Sequence, residues 1–113
     1  MSRSQRDKGL RGELEVKHVF ADAGYPIRGL DGSGDNFVLA HGFMLHVETK
    51  RRETLKMDAW SHQAESEAPP GTIPLVCYRR SREPWRVSMR LSDLLTILSQ
   101  GAETPSARET PIT

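Results

Sequence analysis

Three acids and one lysine in this sequence could together build a divalent-cation site with an activated water: Glu13, Asp35, Glu48 and Lys50. Two β-type runs, Asn36–Ala40 and Phe43–Thr49, flank His41-Gly42, a dipeptide suited to a tight hairpin turn. If those two residues form the turn, Ala40 pairs with Phe43, and the same ladder sets Asp35 opposite Glu48. Facing carboxylates with Cβ atoms about 4.5–5.5 Å apart repel each other. A shared cation removes that penalty, and Mg²⁺ is commonly held by one or two carboxylates with water and phosphate oxygens. Lys50 follows Glu48 by two residues and so leaves a strand on the same face. An ammonium there can lower the pKa of an attacking water and neutralise charge on a phosphorane-like transition state.

The fourth residue comes from a helix read over Lys8–Ala23 and ended by Gly24 and Pro26. On a helical wheel Glu13 falls within the apolar arc of Leu10, Leu14, Val16, Val19 and Phe20, whereas Glu15, His18 and Asp22 share the polar side. Glu13 is therefore expected to point inward and to need a partner, either Lys17 or a cation site, with Glu15 left to solvent. Asp35 leaves a turn-rich loop beginning at Gly29. Lys56–Ala68 reads as a second helix stopped by Pro69-Pro70-Gly71, and Ile73–Tyr78 as an apolar strand. Trp85, Val87 and Met89 alternate with Arg86, Ser88 and Arg90 as in a strand with one basic face. A last helix runs from a Ser92 cap to about Ser99, with Gly101 closing it. The order α-β-β-α-β-β-α is that of a small α/β unit. It divides the chain into a flexible basic N-terminus (1–7), one domain (8–101) and a Thr/Pro/Ser/Glu-rich tail (102–113) expected to be disordered.

Composition narrows the function classes. The 113 residues leave room for one domain, and no run approaches the ~20 apolar residues of a membrane span. Cys77 is the only cysteine, which excludes an internal disulfide and a multi-cysteine zinc site; inside an apolar strand it reads as a small buried hydrophobe. With no secretory leader pattern at Met1, an intracellular protein is expected. The net charge of +1 hides two basic clusters: Arg79, Arg80, Arg82, Arg86 and Arg90 against Glu83 alone, and Arg3, Arg6 and Lys8 against Asp7. Such clusters suit a phosphate backbone, or form a solvated basic face.

Taken together, Lys8-Gly9-Leu-Arg-Gly-Glu13-Leu-Glu15, Gly32-Ser33-Gly34-Asp35 and Val47-Glu48-Thr49-Lys50 resemble the PD-(D/E)xK nuclease superfamily, and within it the archaeal and phage Holliday-junction resolvase branch. Trp60-Ser-His-Gln63-Ala64 and the stretch Tyr78–Trp85 resemble the downstream part of phage members, so the likeness spans roughly residues 8–95. It implies a restriction-endonuclease-like core, a mixed central β-sheet flanked by helices. It implies Asp35 and Glu48 as metal ligands, helped by the backbone carbonyl of Thr49 and by Glu13, with Lys50 on the water and Gln63 beside the site. Mg²⁺, with Mn²⁺ able to substitute, would serve hydrolysis of a DNA phosphodiester. Ser33 belongs to a loop that contributes to catalysis in some resolvases. Gly34 stands where the family name has proline, which implies a more flexible loop. The expected DNA contacts are Arg3, Arg6, Lys8, Arg11, Ser33, Arg51, Arg79, Arg80, Arg82, Arg86 and Arg90. Cutting a four-way junction symmetrically implies a homodimer, and a phage or prophage origin fits the downstream likeness.

Other readings fall away on spacing. Asp31-Gly-Ser-Gly-Asp35 is not a calcium loop, since its sixth position is Asn36 and its twelfth Gly42. No Gly-Lys-Ser/Thr follows the glycines, and His18, His41, His46 and His62 lack zinc spacing. Trp60 and Trp85 read as core or interface residues. Two classes remain beside the resolvase: another nuclease of this fold (flap, repair or restriction type), and a non-catalytic DNA-binding subunit. All four core residues are present, which favours catalysis.

Overall fold

The computed structural model describes residues 3–29 and 36–101, without the side chains of 3–5 and 101. Seven elements follow in the expected order: α1 (Arg3–Asp22), β1 (Asn36–Ala40), β2 (Phe43–Arg51), α2 (Met57–Glu67), β3 (Ile73–Arg79), β4 (Arg86–Ser88) and α3 (Leu91–Gly101). The strands form one mixed sheet in the order β1-β2-β3-β4, with β2 and β3 parallel and both outer pairs antiparallel. α1 begins at Arg3, five residues before the start read from the sequence, and β2 runs two residues further, to Arg51. α3 starts at Leu91, so Ser92 lies inside it, and Arg90 supplies the carbonyl that Asp93 and Leu94 N–H reach.

The turns follow from residue chemistry. His41 and Gly42 have φ of 52° and 83°, the double positive φ of a type I′ hairpin. Ala40 accordingly pairs with Phe43, and the described ladder ends at Asn36 and Val47. Gly24, at φ 94°, closes α1: its N–H reaches Ala21 O and Tyr25 N–H reaches Phe20 O, a Schellman cap.

Strand alternation divides the core in two. Leu45 and Val47 of β2 lie beside Ile73, Leu75 and Cys77 of β3, and with Val38 they pack under Val16 and Phe20 of α1. On the opposite face Val76 and Tyr78 meet Trp60, Ala64, Leu55 and Met57, so α2 covers that side. Cys77 is buried, and burial pushes its thiol up to about 12, an inert core group. Among the described residues no helix is long and apolar enough to cross a membrane.

Candidate active site

β2 carries Glu48 and Lys50 on the α2 side of the sheet, where they stand beside Val76 and Tyr78 of β3. Burying Trp60 and Ala64 against Val76 and Tyr78 fixes the rotation of α2. That rotation brings Gln63 over the end of β2, where its Oε1 accepts a hydrogen bond from Lys50 Nζ at 3.3 Å. Gln63 Nε2 in turn donates to Glu67 Oε1 at 3.0 Å, one helical turn on. Lys50 and Gln63, thirteen residues apart in sequence, are thus in contact. Glu48, half-buried, is Lys50's neighbour on the same face. Asp35 and Ser33 lie outside the described residues. Asp35 directly precedes Asn36, the last described partner in the ladder, and Glu48 directly follows that residue's mate Val47.

α1 departs from the wheel. Glu13 is exposed, as are Leu10, Leu14 and Val19, each more than half so, while Gly12 and Val16 are buried. The inward acid is Glu15. Its Oε1 accepts hydrogen bonds from Arg79 Nη2 (2.8 Å), Arg79 Nε (3.2 Å) and Trp85 Nε1 (3.2 Å), and Arg51 Nη1 stands 4.0 Å from its other oxygen. The Arg79 guanidinium also lies 5.2 Å from the centre of the Trp85 ring. Desolvation pushes the Glu15 carboxyl up, but the Arg79 hydrogen bonds, the charges of Arg79 and Arg51 and the Trp85 N–H outweigh it and hold the group below its usual range. The wheel fails because it gives glycine no weight. A Cβ on Gly12 would stand 3.1 Å from Arg51 Cβ and 3.5 Å from the Trp85 ring, so Gly12 marks the line along which α1 touches the sheet. The burial of Glu13 is not observed, and neither is the need for a partner that burial would create.

The same contact changes the expected DNA surface. Arg51 and Arg79 pair on the α1 face of the sheet and are turned onto Glu15, their side chains only 16% and 13% exposed. They act as an internal clamp rather than as open cations. Lys8 is half-buried against Glu53 at 3.1 Å. Arg80 reaches Glu53 O and Glu83, and Arg90 pairs with Asp93 at 2.9 Å. Arg6, Arg11, Arg82 and Arg86 are exposed. The side chain of Arg3 is outside the described set. Trp60 is core, and Trp85 packs on the edge of the other cluster.

Sequence reading missed Glu53. Its carboxylate accepts from Ser81 N–H and Oγ and from Lys8, tying the turn after β2 to the turn before β4. The Ser81 hydroxyl, Lys8 and the Ser81 N–H pull it down to about 2.

The donors of the centre suit a hard cation. The Glu48 carboxylate and the Thr49 carbonyl offer oxygen donors, while the His46 imidazole of the same strand is 1% exposed and Cys77 points to the other face. Among the described residues no three His, Cys, Asp or Glu side chains form a metal cluster.

No family model matches this chain, and no curated protein does. Among solved structures, the chain is similar to Hjc of the archaeal hyperthermophile Archaeoglobus fulgidus, a Holliday junction resolvase, with a TM-score of 0.51, 22% identity and coverage of 73% of this chain and 72% of that one. The likeness is one of fold: a mixed four-stranded sheet with flanking helices is the core that this chain shares with that resolvase.

Proposed function

We propose that this chain is an Mg²⁺-dependent, structure-selective DNA endonuclease of the PD-(D/E)xK superfamily, acting as an intracellular Holliday junction resolvase in recombination and repair. The observation that carries the reading is the Lys50–Gln63 contact beside Glu48, at the end of a central strand in a sheet with a resolvase's fold. Asp35, Glu48 and the Thr49 carbonyl would hold the ion. The ion, when bound, supplies neutralising charge to the attacking and leaving oxygens of the phosphodiester. Lys50 orients the water and offsets charge on the pentacovalent phosphorus. Gln63 holds the Lys50 ammonium in place from α2. The exposed arginines Arg6, Arg11, Arg82 and Arg86 would hold the DNA backbone, giving position without sequence readout.

A homodimer belongs to the same reading, since two symmetric cuts need two centres in fixed relation. An apolar face supports it. Leu91, Leu94, Leu95 and Leu98 of α3, at helical spacing, and Val87 of β4 are 39–68% exposed, and only Ile97 of α3 packs on the core. Leu94→Glu with Leu98→Glu should convert a dimer to monomer in sedimentation, whereas an unchanged mass would remove α3 from the interface.

The chemistry is tested by Asp35→Asn and Glu48→Gln. Each should lose Mg²⁺-dependent cleavage and keep junction binding measured in EDTA. Wild-type cutting by either variant would contradict the assignment of the ion's ligands.

A further inference from the structure

We propose that a cavity between the start of α1 and the β2–α2 turn is a phosphate subsite, in which Lys8, Arg52 and Lys56 receive a nucleic-acid phosphate next to the one that is cut. The inference rests on the nuclease reading and deepens it, because Arg52 and Lys56 belong neither to the Glu48–Lys50 centre nor to the basic clusters of the sequence. The cavity measures about 410 Å³ and is lined by Lys8, Arg52, Glu53, Thr54, Lys56 and Trp60. That is within the ~300–1,000 Å³ of small-molecule sites, and large enough for a phosphate with part of its sugar.

Its charge is built for an anion. Three cations face one acid, and that acid is already engaged: Glu53 takes the Ser81 N–H, the Ser81 hydroxyl and Lys8. Glu53 thereby works as a brace that holds Lys8 at the cavity. Arg52 donates to the Arg51 carbonyl at 3.2 Å, and among the described residues neither Arg52 nor Lys56 has a carboxylate within ion-pair distance. Lys56 is also the N-cap of α2 and makes no side-chain cap bond, so the positive end of that helix opens at the same place. A planar guanidinium and two ammonium groups converging on one volume match a tetrahedral phosphate better than a lone carboxylate.

Position ties the cavity to the cut. Arg52 continues the chain beyond β2, its N–H bonded to Arg79 O, two residues after Lys50. Two residues of extended chain span about 7 Å, comparable to one nucleotide of backbone. A strand whose phosphate meets Lys50 therefore reaches Arg52 with its neighbour.

The test is junction binding by fluorescence anisotropy in EDTA, from ~50 to ~200 mM salt, for the wild type and for Arg52→Gln with Lys56→Gln. Glutamine keeps the aliphatic stems, and the single Lys56→Gln change, at an exposed position, serves if the pair folds poorly. The subsite predicts about tenfold weaker binding and a log–log salt slope shallower by about 0.9, one phosphate's share. Weaker binding with an unchanged slope would mean loss of structure only, and would overturn the subsite while the nuclease reading stands. A wild type that binds no junction DNA would end both. If deoxythymidine monophosphate shifts the Trp60 indole N–H resonance while the DNA slope stays unchanged, the cavity takes a free nucleotide, which also overturns the proposal.

Discussion

The last residues of β2 send their charges to opposite faces with opposite fates. Toward α1, Arg51 joins Arg79 in a clamp on Glu15, closed over by Trp85 and by the near contact of Gly12. Toward α2, Lys50 stands beside Glu48 on the same face and meets a polar side chain, Gln63. One grouping pairs its charges internally, although Arg51 Nε is buried without a hydrogen-bond partner, and anchors a helix. The other keeps an ammonium beside a carboxylate at an open edge, where chemistry is possible. The alternation of a single strand accomplishes the division, and the helix that covers each face decides whether a cation is locked or available.

The largest expected effect lies on the open side. Lys50→Ala should lower junction cleavage by about 10²–10⁴-fold with little change in thermal stability, because the hydrogen bond it loses, to Gln63, is exposed. A matching fall in Tm would mean that the two faces are not separable. On the closed side, Gly12→Val should destabilise by about 1–3 kcal/mol, since its branches would enter the space of Arg51 and Trp85; denaturant unfolding measures this, and an unchanged midpoint would refute the close approach. Glu15→Ala strands Arg79 and Arg51. Because Glu15 is itself 37% exposed, the cost should be nearer about 1–2 kcal/mol than that of a fully buried pair, and DNA cleavage measured well below Tm should persist.

The smallest effect is on pH dependence. Glu15 and Glu53 both have folded pKa values below the ordinary 4.5, Glu53 at about 2. Such groups add stability that is complete above the unfolded value and is lost as pH falls toward the folded one. Tm should therefore hold above about pH 5 and drop toward pH 2, and Glu15→Gln with Glu53→Gln should flatten that drop. Salt should shrink the Glu53 share, which is exposed to screening. Equal slopes for variant and wild type would show that neither carboxylate is held as described.

Much of this was legible beforehand, for identifiable reasons. His41-Gly42 specifies a type I′ turn, and the turn sets the register through Asn36 and Val47. Gly24 and Pro69-Pro70-Gly71 stop helices by backbone conformation alone. The sequence points to Lys50 and the family resemblance to Gln63, yet their contact depends on the rotation of α2, which the packing of Trp60 and Ala64 determines. A helical wheel misplaces the inner face of α1 because its leucines point outward. A better signal was available: Arg51 and Arg79 share the inner face with Thr49 and Cys77, and two inward arginines require an acid from the covering helix. Nothing in the sequence pattern foretold the Glu53 brace, which joins two turns nearly thirty residues apart.

In the proposed reading the Glu48–Lys50 edge cuts branched DNA. That reading is tested most directly by incubating wild type and Lys50→Ala with a four-way junction, a flap, duplex and single-stranded DNA, each with Mg²⁺ and with EDTA. Paired symmetric cuts in the junction by the wild type with Mg²⁺ alone, and none by the variant, are expected. Tight junction binding with no cleavage of any substrate would contradict that reading.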